Sequence, residues 1–395
     1  MSEIKVNSIK GTGASTAAIT LDSSAGTCTA NITNKPNRNL IINGAMQVAQ
    51  RATTNNTTGA QSTYHTLDRF MTQISVGTIT ESQQDLATTD TPYTFGFRKY
   101  MRLLNQSGIG AATNQYLQID QRIEAQDVAQ SGWDYTSSSS FVTVSFWVRA
   151  SVTQSYVGVL TSHDGTQRHY PFEISLTADQ WTKITKTIPG NSGITVNNDN
   201  GIGLILSFIP YYGTQFTGGS GTFNAWNTTG SGLTRWPDMT TTWATTTNAT
   251  FDVTGVQLEV GSFSSDFEFK SFGQELALCQ RYYYRHVGGI IGDGQDSVGV
   301  GVMYANNNLF TYIYFPTTMR AKPSLEVVTG TSYYLVYSND SNDGFNTFSS
   351  LWNSNENMSV LNAYSNDGIS GRTAGHSSMV IANHNDAKVS FSAEL

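Results

Sequence analysis

The sequence predicts an all-β protein: a jelly-roll β-sandwich, then a short helix, then a second, smaller β-sandwich or barrel domain. Three observations predict it. Charged residues make up 13% of the 395-residue chain, against roughly 25% in ordinary soluble domains, and Thr, Ser, Asn and Gly take their place. Such residues suit turns and solvated strand faces better than helix interiors. Short apolar runs recur between Gly-, Asn- and Ser-rich turns. The third observation is one change of period. Phe251, Val253, Val256, Leu258 and Val260 form a strand-like run, after which Leu276, Cys279 and Tyr283 recur at helical spacing. This passage puts a domain seam near residue 286, in a chain with almost no other helix signal.

Residues 1–36 hold isolated apolar positions (Ile4, Val6, Ile9, Ile19, Leu21) among Gly, Ser, Thr and Ala, too few to close a core. The segment is expected to order only against a partner protein or copies of the same chain. Residues 37–285 carry candidate strands at 75–80, 98–104, 116–123, 141–150, 155–160, 181–188, 203–209 and 251–260. In 141–150, Val142, Val144, Phe146 and Val148 alternate with Phe141, Thr143, Ser145 and Trp147, so one strand face is nearly pure core. The long polar excursion 210–250 interrupts the rhythm. Residues 286–395 carry candidate strands at 298–305, 309–315, 324–328, 332–338, 359–363, 379–382 and 388–394, with turns at 306–308, 339–344 and 366–371.

The net charge is −7 and no block of Lys or Arg is present, so nothing offers to neutralise a phosphate backbone and nucleic acid is not an expected partner. The N-terminus has no apolar run of signal-peptide length, and the most apolar window, 201–212, is too short to span a bilayer. A cytoplasmically made product without membrane insertion is expected. Cys28 and Cys279 show no metal spacing. Neither a disulfide scaffold nor a zinc site is expected, and Cys279 falls on the apolar stripe of the helix.

Several segments carry a family resemblance. RNLIINGAMQVAQR (38–51) followed by TLDRF (66–70) resembles the opening of a domain common in bacteriophage tail-fibre and receptor-binding proteins. TGVQLEVG (254–261) with FEFKSFGQELALCQRYYYR (267–285) is similar to that domain's close, and FPTTMRAKPSLEV (315–327) with the terminal FSAEL resembles the small β domain that often follows. The resemblance implies a jelly roll similar to carbohydrate-binding modules, carried on a virion fibre that is commonly a homotrimer. It implies that residues 1–36 anchor to other virion proteins, that 37–285 form the body and that 286–395 form a host-facing tip. The expected function is a phage tail fibre that recognises a host-surface glycan or protein receptor without catalysis. The alternatives are a capsid-attached head fibre or decoration protein, and a polysaccharide depolymerase. In TLDRF, Asp68 and Arg69 are expected to make a charge-assisted hydrogen bond that pins a strand entry.

Motifs for catalysis are absent: there is no GxSxG, GxGxxG, Walker or HExxH sequence. No catalytic residue, metal or cofactor is expected. His163 and His169 flank the turn HDGTQRH, whose Asp164-Gly165 signals a hairpin, and are expected at the surface. GDGQD (292–296) and SNDSNDG (338–344) are acidic turns of calcium-loop texture, but the second has Ser350 where an EF-hand needs its bidentate Glu. Glycan hydrolysis needs two carboxylates about 5–10 Å apart, and no spacing nominates a pair. The glycan-binding candidates are Tyr211, Tyr212, Trp226, Trp236 and Trp243, aromatic rings in an excursion full of Gly and Thr. Exposed, they would stack on sugar rings; the competing use is to tuck the excursion onto the sandwich or to fill a subunit interface.

Overall fold

β-branched and aromatic residues at alternating positions, punctuated by left-handed Asn and Gly, give the chain strands joined by tight turns. The computed structural model describes residues 6–10, 12, 19–21, 28–30, 37–218, 221–228, 235–289 and 296–395. In chain order the first elements are β1 (Ser8–Ile9), β2 (Ile19–Leu21) and β3 (Cys28–Ala30), a small antiparallel sheet. Then come β4 (Thr54–Thr58), β5 (Gln61–Thr63), β6 (Phe70–Ile74), β7 (Thr78–Asp85), α1 (Thr91–Thr94), β8 (Lys99–Asn105), β9 (Tyr116–Glu124), α2 (Ala125–Ala129), β10 (Phe141–Ala150) and β11 (Gln154–Ser162). They are followed by β12 (Arg168–Leu176), β13 (Thr182–Pro189), β14 (Ile202–Tyr212), β15 (Asn227–Thr228), α3 (Thr242–Thr245), β16 (Ala249–Val260) and α4 (Phe272–Gln280). The second sandwich has β17 (Tyr283–Val287), β18 (Ser297–Ala305), β19 (Asn308–Tyr314), β20 (Ser324–Val327), β21 (Tyr334–Ser338) and β22 (Ser341–Phe345). It ends with β23 (Ser350–Trp352), β24 (Met358–Ala363), β25 (Ser377–Ala382) and β26 (Val389–Ser392).

The first sandwich packs a six-stranded sheet, β13-β10-β16-β8-β7-β4, on a seven-stranded one, β15-β12-β11-β14-β9-β6-β5. The core face expected of 141–150 lies in the main core: Val142, Val144, Phe146 and Val148 are buried there, with Phe146 4.8 Å from Phe208 of the facing sheet. Thr143, Ser145 and Trp147 on the other face are buried too, Trp147 in a second cluster with Phe97 and Tyr100. The second sandwich packs a seven-stranded sheet, β22-β21-β25-β18-β19-β24-β23, on a three-stranded one, β17-β26-β20. The all-β class and the jelly-roll type are therefore as the sequence predicts. No helix among the described residues is long and apolar enough to cross a membrane.

Three local expectations change. The run 75–80 is not one strand, because Gly77 at φ +90° turns the chain between β6 and β7. β12 escapes a sequence reading because Pro171 interrupts it. Proline is tolerated there because β15 pairs only with Arg168 and His169, so no strand needs an N–H from position 171 on that edge, where the Pro171 carbonyl accepts from the Asn224 N–H at 2.8 Å. The border expected at 286 falls inside β17, so the chain enters the second sandwich directly after α4. That helix is well specified at its start, where Ser271 and Gln274 form a reciprocal capping box.

The opening and closing motifs of the first sandwich touch each other. Leu40 N–H donates to the Leu258 carbonyl and Val256 N–H to the Gly44 carbonyl, both at 2.9 Å. A Cβ on Gly44 would stand 2.0 Å from the Val256 oxygen, so only glycine permits this approach. Asn43, fully buried at φ 62°, uses its side chain to join the Val48 N–H and carbonyl and the Asp68 carbonyl.

The second sandwich is latched to the first through the same set of motifs. Asp68 and Arg69 do not pair with each other; Asp68 accepts from the Gln50 backbone and side chain instead. Arg69, at φ 71°, reaches the other way to Glu394, which also takes Arg51 at 3.2 Å. Tyr282 covers Arg69, with the guanidinium carbon 3.5 Å from the ring centroid, and Arg69 Nη2 donates to the Arg122 carbonyl at 2.6 Å. Arg281 and Glu124 form a bidentate pair at 2.7 and 2.8 Å. Arg320 closes the seam by donating to the carbonyls of Ala393, Glu394 and Asn200.

Candidate functional site

The outward face of the sheet containing β9, β11, β12 and β14 holds a cleft of about 320 Å³. Strand alternation selects its lining. Leu117, Ile119 and Ile123 of β9 face the core, so Gln118 and Asp120 face out; Leu204, Leu206 and Phe208 of β14 face the core, so Ile205, Ser207 and Ile209 face out. Thr161 of β11, His169 of β12 and Gln73 of β6 complete a polar floor.

Asp120 is the hub of that floor. Gln73 Nε2 and Gln118 Nε2 donate to one of its oxygens at 2.5 and 2.7 Å, and Ser207 Oγ to the other at 2.6 Å. Burial raises its carboxyl above the usual range, and these hydrogen bonds act in the opposite direction. The Tyr212 hydroxyl donates to Gln118 Oε1, which fixes that amide's orientation. His169 is buried, with Nδ1 2.9 Å from Thr161 Oγ1. Burial first, and the nearby Arg235 second, push its pKa down to about 4, so it is a neutral ring at pH 7.

The excursion 210–250 supplies the wall. Tyr116, Tyr212 and Phe216 cluster with centroids 5.5–5.7 Å apart, and Trp236 lies 5.2 Å behind Tyr212. Tyr116 and Phe216 are half-buried and present ring surface to the cleft. Trp236 Nε1 and Arg235 Nε, on residues that line the cleft, are buried with no hydrogen-bond partner. An unpaired buried donor costs about 1–3 kcal/mol. The arrangement is chemically suited to a flat, hydroxyl-rich ligand: ring faces on one side, fixed amide, hydroxyl and carboxyl groups beneath.

The five sequence candidates fare differently. Tyr212 and Trp236 do line the cleft, but as buried backing rather than as exposed platforms. Tyr211 is buried, and Trp243 is fully buried in the main core, its indole donating to the Thr250 carbonyl at 2.9 Å. Trp226 is half-buried on Tyr170 and donates to the Pro189 carbonyl. The rings thus tuck the excursion onto the sandwich, because a long loop poor in aliphatic residues has little else to bury. Sequence reasoning missed Gln73, Tyr116, Gln118, Asp120, Ser207, Phe216 and Arg235. The available signal was polar residues at every second position of YLQIDQRIE.

His169 is not at the surface, as expected, but inside the hairpin β11–β12, whose turn has Gly165 at φ +63°. Among the described residues no group of His, Cys, Asp or Glu is arranged to hold a metal ion. The turn at 338–344 is a two-residue hairpin, with Asn339 and Asp340 both left-handed. GDGQD lies, except for Asp296, outside the described residues. Cys279 is a buried free thiol.

No family model matches the chain, and no curated protein does. Solved structures give matches of low overlap. The N-terminal CBM22-1-CBM22-2 tandem domain from Paenibacillus barcinonensis Xyn10C is 8% identical over 86% of this chain and 99% of that one, with a TM-score of 0.26. TmCBM61 in complex with beta-1,4-galactotriose is 8% identical over 57% of this chain and 99% of that one, at 0.24. A CBM4 structure is 14% identical over 41% of this chain and 71% of that one, at 0.24. The fold defines the class of protein: an all-β chain of two latched sandwiches, the first of jelly-roll type, with a cleft on one sheet face.

Proposed function

We propose that the protein binds a glycan, non-catalytically, in the cleft over Asp120, and that it does so as a phage tail fibre that attaches to a host surface. The cleft carries the first half of this reading: half-buried ring faces of Tyr116 and Phe216 beside pre-fixed hydrogen-bonding groups. Binding rather than cleavage is supported by the lining itself, in which Asp120 is the one carboxylate and is held by three partners. The fibre setting rests on the motif resemblance, and display in several copies would multiply weak single-site contacts.

The test is affinity electrophoresis or calorimetry of the full chain against host-surface polysaccharide. Tyr116→Ala and Phe216→Ala should each weaken binding about five- to thirtyfold, since ring stacking contacts of this kind are worth about 1–2 kcal/mol. Retention of affinity in both variants, or no retention of any polysaccharide by the parent, refutes the cleft. Falling viscosity of the polymer on incubation refutes the non-catalytic half. Immunogold labelling confined to the head refutes the tail setting in favour of the capsid-attached alternative.

A further inference from the structure

We infer that the outward face of the seven-stranded sheet in the second sandwich is a self-association surface, covered by a second copy of this chain. An antiparallel sheet with one solvated face normally alternates apolar-in with polar-out. This one does not. Register places Tyr337 of β21 opposite Met379 of β25, Met379 opposite Val300 of β18, Tyr312 of β19 opposite Val360 of β24, and Val360 opposite Trp352 of β23. Gly301 pairs with Thr311, which brings Val300 alongside Tyr312 and joins the two halves into one apolar row across six strands. At a strand spacing of about 4.8 Å the row is roughly 24 Å long.

Val360 is buried among its neighbours and Tyr337 is half-buried, but most of the row lies open. Val300 is 70% exposed and Tyr314 72%, with Tyr304, Tyr312, Trp352 and Met379 about half exposed or more. Tyr304 and Trp352 flank Phe310 at 5.1 and 4.7 Å, continuing the surface as an aromatic strip. At one end the turn 338–342 rises beside Val300, Tyr337 and Met379 to shape a trough of about 810 Å³.

Two properties select a second copy as the occupant. First, charge: the outward positions on these seven strands carry no Asp, Glu, Lys or Arg. Copies with a net charge of −7 repel one another over most of their surface, and strands without outward charge, bordered by Asp340 in the turn at one end of the row, are where they approach at least electrostatic cost. Second, area: four aromatic rings, a Val and a Met, each about half exposed or more, offer on the order of 700 Å², close to the ~800 Å² per partner of a stable interface. Sheet-on-sheet contact through apolar side chains is also the packing this chain already uses inside both sandwiches.

The inference is independent of the cleft. Sedimentation equilibrium of the full chain, from about 1 to 100 µM, is expected to give a multiple of the single-chain mass for the parent. Val300→Lys and Met379→Lys, both outward and exposed, are each expected to give single-chain mass with an unchanged melting profile and unchanged polysaccharide affinity per copy. A parent that stays at single-chain mass throughout overturns the inference. So does a multimer that survives both lysine variants, including one that disappears only when residues 1–36 are deleted, which would assign assembly to the N-terminal segment. Loss of polysaccharide binding in the Tyr116 variant with assembly intact would leave this inference standing and test the cleft alone.

Discussion

Glu394 should be the most costly single charge to remove at the seam. Its carboxylate, 7% exposed, holds Arg69, whose side chain is 1% exposed, and Arg51. Burial alone would lower the Arg69 pKa; the neighbouring Glu394 carboxylate overrides this and raises it. Glu394→Gln keeps the shape and removes the charge, leaving a buried guanidinium without its counter-ion. Breaking a buried pair in this way costs about 3–5 kcal/mol. The lower end applies here, because the Tyr282 ring and the Arg122 carbonyl still face Arg69. The second sandwich has roughly 110 residues, and at about 2.1 cal/mol/K per residue its unfolding entropy is ~0.23 kcal/mol/K. A loss of ~3 kcal/mol then lowers its transition by about 13 °C if it melts separately, and about 4 °C if the whole chain melts as one. Scanning calorimetry of parent and variant measures this directly. A cycle with Arg69→Met should show coupling of at least ~1.5 kcal/mol. A shift below about 1 °C, or additive single effects, would refute the assignment of Glu394 as the latch.

Gly44→Ala should destabilise the first sandwich by about 3 kcal/mol or more, because its Cβ would meet the Val256 oxygen at 2.0 Å; a urea midpoint equal to the parent's would contradict the close approach. His169 and Asp68 should give opposite pH slopes. The His169 pKa is lowered to about 4 by burial, so the unfolded state binds the proton more readily and stability rises as pH goes from 4 to about 6.5. The Asp68 pKa is raised to about 6, by burial against the opposing Gln50 hydrogen bonds, so stability falls as pH goes from about 4 to 6. His169→Gln should therefore expose a falling profile and Asp68→Asn a rising one; melting curves across pH 4–7 that keep the parent's slope in both variants would show that neither group titrates as placed.

The strands were legible where packing imposes a period. Val142, Val144, Phe146 and Val148 announce a core face because apolar residues fall at every second position, although the other face of the strand is buried as well. The capped α4 was legible in part from a stripe at helical spacing: Cys279 is buried and Leu276 half-buried on it. Tyr283, the third residue of that stripe, lies beyond the helix and opens β17, and the other buried helix residue is Glu275. β12 was not legible, because its Pro171 is tolerated only at an edge, and edges are a property of the whole sheet. The cleft was hardest to read. Gln73, Asp120, Ser207 and His169 come from four strands far apart in sequence, so only the sheet order brings them together. The aromatic residues of 210–250 misled for a physical reason: a Trp in a Gly- and Thr-rich loop looks unneeded by a core, yet such a loop depends on those rings to stay down. Trp243 and Trp236 are nearly inaccessible, while exposed aromatic residues sit on β18 and β19, where alternation read them as ordinary strand residues, and on β23, which the sequence reading did not mark as a strand.

One strand connects the cleft with the seam. Along β9 the outward side chains are Tyr116, Gln118 and Asp120, which line the cleft, then Arg122 and Glu124, which belong to the latch: Arg122 donates to the Leu395 carbonyl, and Glu124 takes Arg281 and the Tyr282 hydroxyl. Because strand side chains alternate, a slip of one residue would turn all five inward and bring Leu117, Ile119 and Ile123 to the surface. Register is set by both neighbours, with Phe70 opposite Gln121 on β6 and Ser207 opposite Asp120 on β14. Binding groups and interdomain charges are therefore fixed by the same hydrogen-bond ladder. A single-residue insertion between Ile119 and Asp120 should abolish both polysaccharide affinity and the calorimetric coupling of the two sandwiches, whereas an insertion in the exposed turn at 338–342 should spare both. An insertion in β9 that removed affinity but left the coupling unchanged would show that cleft and seam are set separately.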